Sequence, residues 1–512
     1  MNDTRKPGKT LDHVLKYTGI FGGVQGLTIL MSVVRNKLAS HFLGPVGFAL
    51  IAIYQSVSDF VNSTTNCGIP FASVRELAER YGEDDGSRQA SDEEIRRRDE
   101  RIVPYLEVVR TWCLWTACAG VLFCILGSPL LGYIFFDDGE ASTWTIALLA
   151  PMVAALSITK GEISILKGLH RLRRVAFISA VGAVSTLCLT IPFFWSMGLQ
   201  GIILALNVST MAMTGIHLCF TVPLFPYRVR PFSMSIFRKG WSLVRVGLPY
   251  VAASIAGSGV AMALPALMTR YGSLEDLGHY RAAYGLMVTY AGIVFTAFDA
   301  DFFPRLSGVN RDRERRNQTI NQQIRVCVLL IAPLLIAMIT AMPLIIRILY
   351  TDAFLPAVPM AVCAAFYMFL RAITIPIGYT ALACGDSLVY LLMEVIYDVV
   401  SLSIIFGSYS LYGLMGAGIG LSLSALFDLL LIGLGYGWHY GFRLKPSTAW
   451  LAVQQGALLA LTLVVCLWMS SYWRWLAGGA LLLLSAARSY RILATESTFF
   501  EKIRNRLNPC QK

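Results

Sequence analysis

The stretch Ser387–Phe406, SLVYLLMEVIYDVVSLSIIF, is long and apolar enough to span a bilayer, yet it carries Glu394 and Asp398 near its middle. A carboxylate at the centre of a membrane helix costs about 2.5–3.5 kcal/mol on insertion scales. Two of them four residues apart share one helical face. That face is expected to look at protein, water or a counter-charge rather than at lipid tails.

The rest of the chain is built on the same scale. It has 512 residues, 56% of them hydrophobic and only 14% charged. A soluble chain carries about a quarter charged residues, so most of this one belongs in lipid, and bilayer thickness sets the repeating unit. Eleven cysteines suggest a disulfide framework, but most fall inside apolar runs without a CxxC pair or a Cys/His cluster. They read as small buried hydrophobes. Positive charge followed by no small-residue cleavage site marks the N-terminus as a tail leading into a first span rather than a removed signal peptide.

Apolar runs of about 20 residues predict some fourteen transmembrane helices, near 14–38, 44–70, 104–134, 141–166, 174–196, 199–225, 243–270, 279–303, 324–350, 355–383, 387–411, 413–438, 447–470 and 473–491. Lys and Arg concentrate in alternate connections: 80–101, 167–174, 228–239, 311–316, 443–445 and 502–506. The intervening loops are short and almost free of them. The positive-inside rule then places both termini in the cytoplasm and accounts for the net charge of +12 without a nucleic-acid partner. The longest polar piece, 81–104, reads as a mixed-charge linker, and the last residues as a short amphipathic surface segment.

The chain also repeats itself. GLQGIILAL from Gly198 and GLMGAGIGL from Gly413 each open a span, and GPVGFALIAIYQSV from Gly44 resembles LGHYRAAYGLMVTY from Leu277. Matches recur in order at a shift of roughly 215–235 positions, as in transporters built from duplicated bundles. The expected architecture is an all-α polytopic membrane protein. A six-helix lobe at 1–225 leads through a linker at 226–242 to a second at 243–440, with two extra helices and a tail at 441–512.

LASHFLGPVGFALIAIYQSV, NCGIPFASVRELAERYG and ILKGLHRLRRVAFISAVGAVSTL, continued by DFFPRLSG and LLMEVIYDVV, together resemble the polysaccharide-flippase branch of the multidrug/oligosaccharidyl-lipid/polysaccharide exporter superfamily. The likeness is greatest to O-antigen and enterobacterial-common-antigen translocases and covers about 12–440. It carries Gly44-Pro45-Val46-Gly47 between the first two spans, Gly68-Ile69 followed by Arg75, and Lys167-Gly168 in a turn. The resemblance implies a protein of the bacterial inner membrane that moves undecaprenyl-diphosphate-linked oligosaccharide between leaflets by alternating access. It performs no covalent chemistry and needs no cofactor, and a polysaccharide polymerase or chain-length complex is a possible partner.

Such a substrate needs cations for its diphosphate, polar walls for its sugars and access to membrane lipid. The cationic candidates are Arg35 and Lys37 in the first span, Arg75 after the second and Lys160 within the fourth. Arg245, Arg270, Arg281 and Arg305 lie near the ends of the seventh and eighth. Lys160 and Glu162, two residues apart, cannot share a face, so each is expected to meet a different neighbour. Gln55, Asp59 and Asn62 in QSVSDFVNSTTN suit a watery cavity, with Asp299 and Asp301 as further acids. Arg371, Asp398 and Asp428 fall at similar depth on spans ten to twelve, with Glu394 one turn away. One arginine cannot neutralise three carboxylates in low dielectric, so this group is expected to take H⁺ or Na⁺ and couple it to transport. The packing alternative is a plain Arg371–Asp398 pair. A same-fold, ion-coupled small-molecule antiporter is the rival function. An enzyme fits less well, since the outer loops are too short for a catalytic domain.

Overall fold

The computed structural model describes residues 7–82, 92–136, 139–169, 171–469 and 471–496, with side chains near some of these limits left out. The amphipathic tail expected after 496 and the side chains of Asp299 and Asp301 lie outside the described residues. Helices run in the order α1 (Pro7–Thr65), α2 (Ile69–Gly82), α3 (Asp92–Phe135), α4 (Gly139–Ala147), α5 (Ala150–Gly168), α6 (Leu172–Met197), α7 (Gly201–Thr221) and α8 (Met234–Tyr271). There follow α9 (Leu274–Tyr284), α10 (Ala291–Gly308), α11 (Arg313–Leu349), α12 (Val358–Cys363), α13 (Ala365–Cys384), α14 (Ser387–His439), α15 (Pro446–Trp468) and α16 (Ser471–Glu496).

Among the described residues, ten segments are long and apolar enough to cross a membrane. Three of them, Gly26–Thr65, Arg173–Thr221 and Leu388–His439, are broken at a glycine and hold two crossings each. The run 274–308 stands where the eighth span was expected. The fourteen-helix reading is borne out: the chain is an all-helical, multi-pass membrane protein.

The three internal breaks share one device. Gly44, Gly198 and Gly413 sit at φ of 62°, 57° and 58° with strongly negative ψ, a region that side chains with a Cβ avoid. Each is followed three residues later by Gly47, Gly201 or Gly416, where a Cβ would collide with the preceding turn, namely Leu43, the Phe193 carbonyl and the Ser408 carbonyl respectively. The first glycine reverses the chain and the second lets the next helix start hard against the last. A fourth break separates α4 from α5. Pro151 lies in the first turn of α5 and has no N–H to continue the ladder, while Asn207 on α7 donates to the Leu148 carbonyl at 2.9 Å.

Two compact units result, Met1–Arg270 and Tyr271–Lys512. In the first, Leu77, Leu106, Val109, Ile165, Phe225 and Leu243 form a fully buried core. The α8 helix belongs to this unit. Gly240 packs on the Trp112 ring, Gly68 and Gly247 bring two backbones together, and Trp112 donates to the Ile236 carbonyl at 3.4 Å. Residues 234–242, expected as linker, are therefore helix, because Ile236 is drawn into that core. The expected linker at 81–104 is also shorter than its charge suggested. The α3 helix begins at Asp92, since DEEIRRRDER combines strong helix formers with acids at the N-terminal end.

In the second unit, α11 is the spine. Gly478 of α16 packs on Thr340 and Gly456 of α15 on Phe369, so the two extra helices are part of this unit. The connection from α14 to α15 is fastened to the first turns of α11. Arg316 donates to the Asn310 and Tyr440 carbonyls at 2.7 Å each, Arg313 to Gly441 and Asn321 to Arg443. Residues expected to serve only as orientation charges thus carry the loop.

Replacing Gly413 by Ala is expected to cost about 1–2 kcal/mol through its positive φ. The mid-helix control Gly407→Ala, with nothing within 4 Å of the new Cβ, is expected to stabilise by up to about 1 kcal/mol. Thermal unfolding of the two purified variants checks the difference.

Candidate functional site

The α5 helix decides the polar geometry of the first unit. Residues two apart on a helix point about 200° from one another, so Lys160 and Glu162 face opposite neighbours. Lys160 faces α1, where its Nζ donates to Asn62 Oδ1 at 2.6 Å and the ammonium feels Asp59. Asn62, fully buried, donates in turn to Ser157 Oγ at 2.7 Å. Gln55, Asp59 and Asn62 follow at i, i+4 and i+7, one stripe of α1 beyond the Gly44 turn. Asp59 is exposed and Gln55 half-buried. The structure therefore brings together Asp59, Asn62 and Lys160, as a cation held by a neutral amide with a carboxylate near its outer side.

Glu162 faces α3 and meets Arg110, which sequence reasoning missed. The pair is two-pronged, at 2.7 and 3.0 Å, with both side chains 2% exposed. The remaining Arg110 nitrogen donates to the Phe225 and Pro226 carbonyls at 3.0 Å each, and the guanidinium stacks over Tyr227. Burial of an ion pair is supportable only with such full satisfaction. Its signal in the sequence was a lone Arg in the apolar run VVRTWCLW, with a lone Glu in a facing span. This pair is a structural staple that ties α3, α5 and the start of the loop before α8. Arg230 of that loop also reaches Glu107 at 2.9 Å.

The other cationic candidates of this unit are dispersed. Arg35 and Lys37 are half-buried on α1 before the Gly44 turn, and Arg75 is exposed on α2. Arg270, at the end of α8, stacks over Tyr133 at 5.2 Å. His217, fully buried, directs Nδ1 at the Met213 carbonyl, consistent with a packing role.

In the second unit, Arg371 on α13 forms an ion pair with Asp428, on α14 after the Gly413 break, at 3.2 Å. Its partner is Asp428 rather than the Asp398 of the packing alternative. Asp428 is 3% exposed and Arg371 30%. Glu394 and Asp398, on α14 before the break, are half-buried. Both act on Arg371 electrostatically, as do Tyr367 and Tyr397. The structure thus gathers all four residues into one cluster with more acid than base. Arg281 is exposed on α9, just before a π-helical turn at Gly285–Tyr290, a distortion found often at functional sites. Arg305 donates to Gln323 at 3.2 Å and lines a separate cavity with Arg325 and Lys445, two residues that periodicity alone did not single out.

Ionisable clusters inside the spans of a multi-pass helical architecture mark candidate functional sites. By sequence, residues 14–310 match the model of the polysaccharide biosynthesis protein family, and the chain belongs to that family. Solved structures share the fold. The lipid II flippase MurJ in its inward closed conformation superposes with a TM-score of 0.65 at 14% identity, over 92% of this chain and 99% of that one. An inward-facing multidrug resistance MATE family transporter of the MOP superfamily gives 0.60 at 13% identity, over 85% and 96%. The MATE multidrug transporter DinF-BH gives 0.53 at 16% identity, over 85% and 97%. No curated protein matches the chain by sequence.

Replacing Glu162 by Gln is expected to destabilise the fold by about 3–5 kcal/mol, because it strands a buried guanidinium. Adding Arg110→Met should restore part of that loss, since no unpaired charge remains. A double-mutant cycle on thermal unfolding measures the coupling, and a tolerated single variant would remove the staple role.

Proposed function

We propose that the protein is a lipid-linked oligosaccharide flippase. It moves undecaprenyl-diphosphate-glycan repeat units across the bacterial inner membrane by alternating access, for O-antigen or another surface polysaccharide. Both termini are cytoplasmic in this reading, and its repeat units are the sequence repeats at 1–225 and 243–440, although α8 packs with the first compact unit and α15 and α16 with the second. Membership of the polysaccharide biosynthesis family supports the substrate class, and the MurJ-like fold supports a lipid substrate.

The observation that carries the reading is the Lys160 cluster. An ammonium has three donors. One is held on the neutral Asn62 and Asp59 acts on the same charge, so in this reading a phosphate oxygen exchanges with Asp59 for the remaining donors. Asp59 and Gln55 provide acceptors and donors for sugar hydroxyls along the same stripe. Arg35, Lys37, Arg75, Arg270 and Arg281 are the further cations assigned to the path of the diphosphate. In the second unit, the surplus of Glu394, Asp398 and Asp428 over Arg371 is assigned to H⁺ or Na⁺. Binding a cation there changes the charge that the α13–α14 pair must bury, which biases one conformation over another. The same surplus favours the second reading, an ion-coupled small-molecule antiporter.

Translocation of a fluorescent undecaprenyl-diphosphate oligosaccharide in proteoliposomes tests both. Flipping is expected to quicken under a proton or sodium gradient, and Asp398→Asn and Asp428→Asn to abolish the gradient response. Unchanged gradient response in both variants would sink the coupling assignment. Lys160→Gln should slow flipping about tenfold, the worth of one charge-assisted hydrogen bond, and Lys160→Arg should retain part of the rate. No flipping of any lipid-linked glycan would put the antiporter first.

A further inference from the structure

The loop before α8 is tied to α3 along its length. Arg110 takes the Phe225 and Pro226 carbonyls and lies over the Tyr227 ring. The Arg230 amide donates to Thr111 Oγ1 at 3.2 Å, and its guanidinium pairs with Glu107. A loop fastened in this way holds its outer residues in fixed positions. One of them, Phe232, is fully exposed.

The exposed apolar surface continues into α8. Met234, Phe237 and Trp241, at i, i+3 and i+7, form one stripe and are 68%, 40% and 45% exposed. Ile236 and Leu243 turn the adjacent face into the core of the first unit. Arg228 precedes the stripe, and Arg238 and Lys239 stand on the remaining face of the helix, all three exposed. Among the described residues none of these three side chains has a hydrogen bond or an ion pair.

Depth identifies what meets this surface. Phe237 stacks on Trp112 of α3 at 5.4 Å, and Arg270, at the far end of α8, lies over Tyr133 of α3 at 5.2 Å. Trp112 and Tyr133 are about 32 Å apart along α3, with no charged residue between them. The hydrocarbon core of a bilayer is about 30 Å thick, so the two contacts mark its two faces. Phe237 stands at one face. Met234 and Phe232 follow within about 8 Å beyond it, the depth of the headgroup layer. The positive-inside rule assigns this face to the cytoplasm, where the leaflet is anionic. An apolar stripe with cations beside it matches both parts of that boundary, rings toward the acyl chains and cations toward phosphate. A soluble protein would have to enter the headgroups to cover the same residues.

We propose that residues 228–241 are a docking surface for anionic phospholipid of the inner leaflet, which sets the level of α8 in the membrane. Arg228, Arg238 and Lys239 then select lipid as well as orient the chain. The assignment does not depend on what the protein transports.

Photocrosslinking of the full-length chain in nanodiscs of mixed phosphatidylcholine and phosphatidylglycerol tests it. A benzophenone amino acid takes the place of Phe232, whose exposed ring is outside the core. The lipid adducts are expected to hold phosphatidylglycerol enriched about fivefold over its share of the disc, the worth of one cation at the surface. Arg238→Gln/Lys239→Gln should bring the ratio back near that share, and because neither side chain has a partner the fold is kept. Arg311→Gln/Arg315→Gln, an equal loss of charge in the second unit, should leave the enrichment as it was. Adducts in the bulk lipid ratio, or an enrichment that survives the loss of Arg238 and Lys239, would overturn the proposal. So would the absence of lipid adducts, or adducts to another protein when the probe is activated in cells. Capture of undecaprenyl diphosphate in preference to phosphatidylglycerol would also overturn it, by assigning the surface to the transported class of lipid.

Discussion

Inside a bilayer no water is available to satisfy a backbone amide, and this constraint governs the rest of the structure. It makes every described element within the membrane helical. It also concentrates all irregularity where a helix can be broken without stranding its carbonyls. The glycine pairs at 44/47, 198/201 and 413/416 reverse the chain in a few residues. The break inside a span, before Pro151, has its Leu148 carbonyl taken by Asn207.

The same constraint sorts the charges by how completely each is matched. Arg110 and Glu162 are fully matched, with every prong of the guanidinium on an oxygen or a ring, so the pair is stable and chemically inert. Lys160 rests on a neutral amide within the field of Asp59, and Arg371 shares its field among three carboxylates. The two halves of each unit's chemistry therefore follow from local geometry. On α5 the opposed faces of residues 160 and 162 send the cation to α1 and the anion to α3, and on α14 the glycine break brings Asp428 back beside residues on the preceding span.

Much of this was legible in the sequence because it is local. Apolar runs gave the crossings, and the repeated Gly-x-x-Gly gave two of the turns. The spacing of Lys160 and Glu162 gave their divergence. What escaped was non-local or was masked by charge. Nothing near Arg371 distinguishes Asp428 from Asp398 as its partner, because both lie at similar depth. Arg110 is a single residue whose meaning depends on a helix 52 positions away. The segment 92–101 looked like linker because it is highly charged, although charge and helix are compatible at an aqueous end. The cavity lined by Arg305, Arg325 and Lys445 draws on residues more than a hundred positions apart, of which Lys445 alone reads as an orientation charge and Arg325 carries no signal of its own.

The clasp between the first turns of α11 and residues 440–443 divides the second unit into parts with different fastenings. The carbonyls taken by Arg313, Arg316 and Asn321 belong to Gly441, Tyr440 and Arg443, all of which precede α15. The last two helices are held instead by close packing, Gly456 on Phe369 and Gly478 on Thr340. A protease cut just after the start of the connection would therefore leave the end of α14 tied to α11 by hydrogen bonds and the last hairpin held by van der Waals contact.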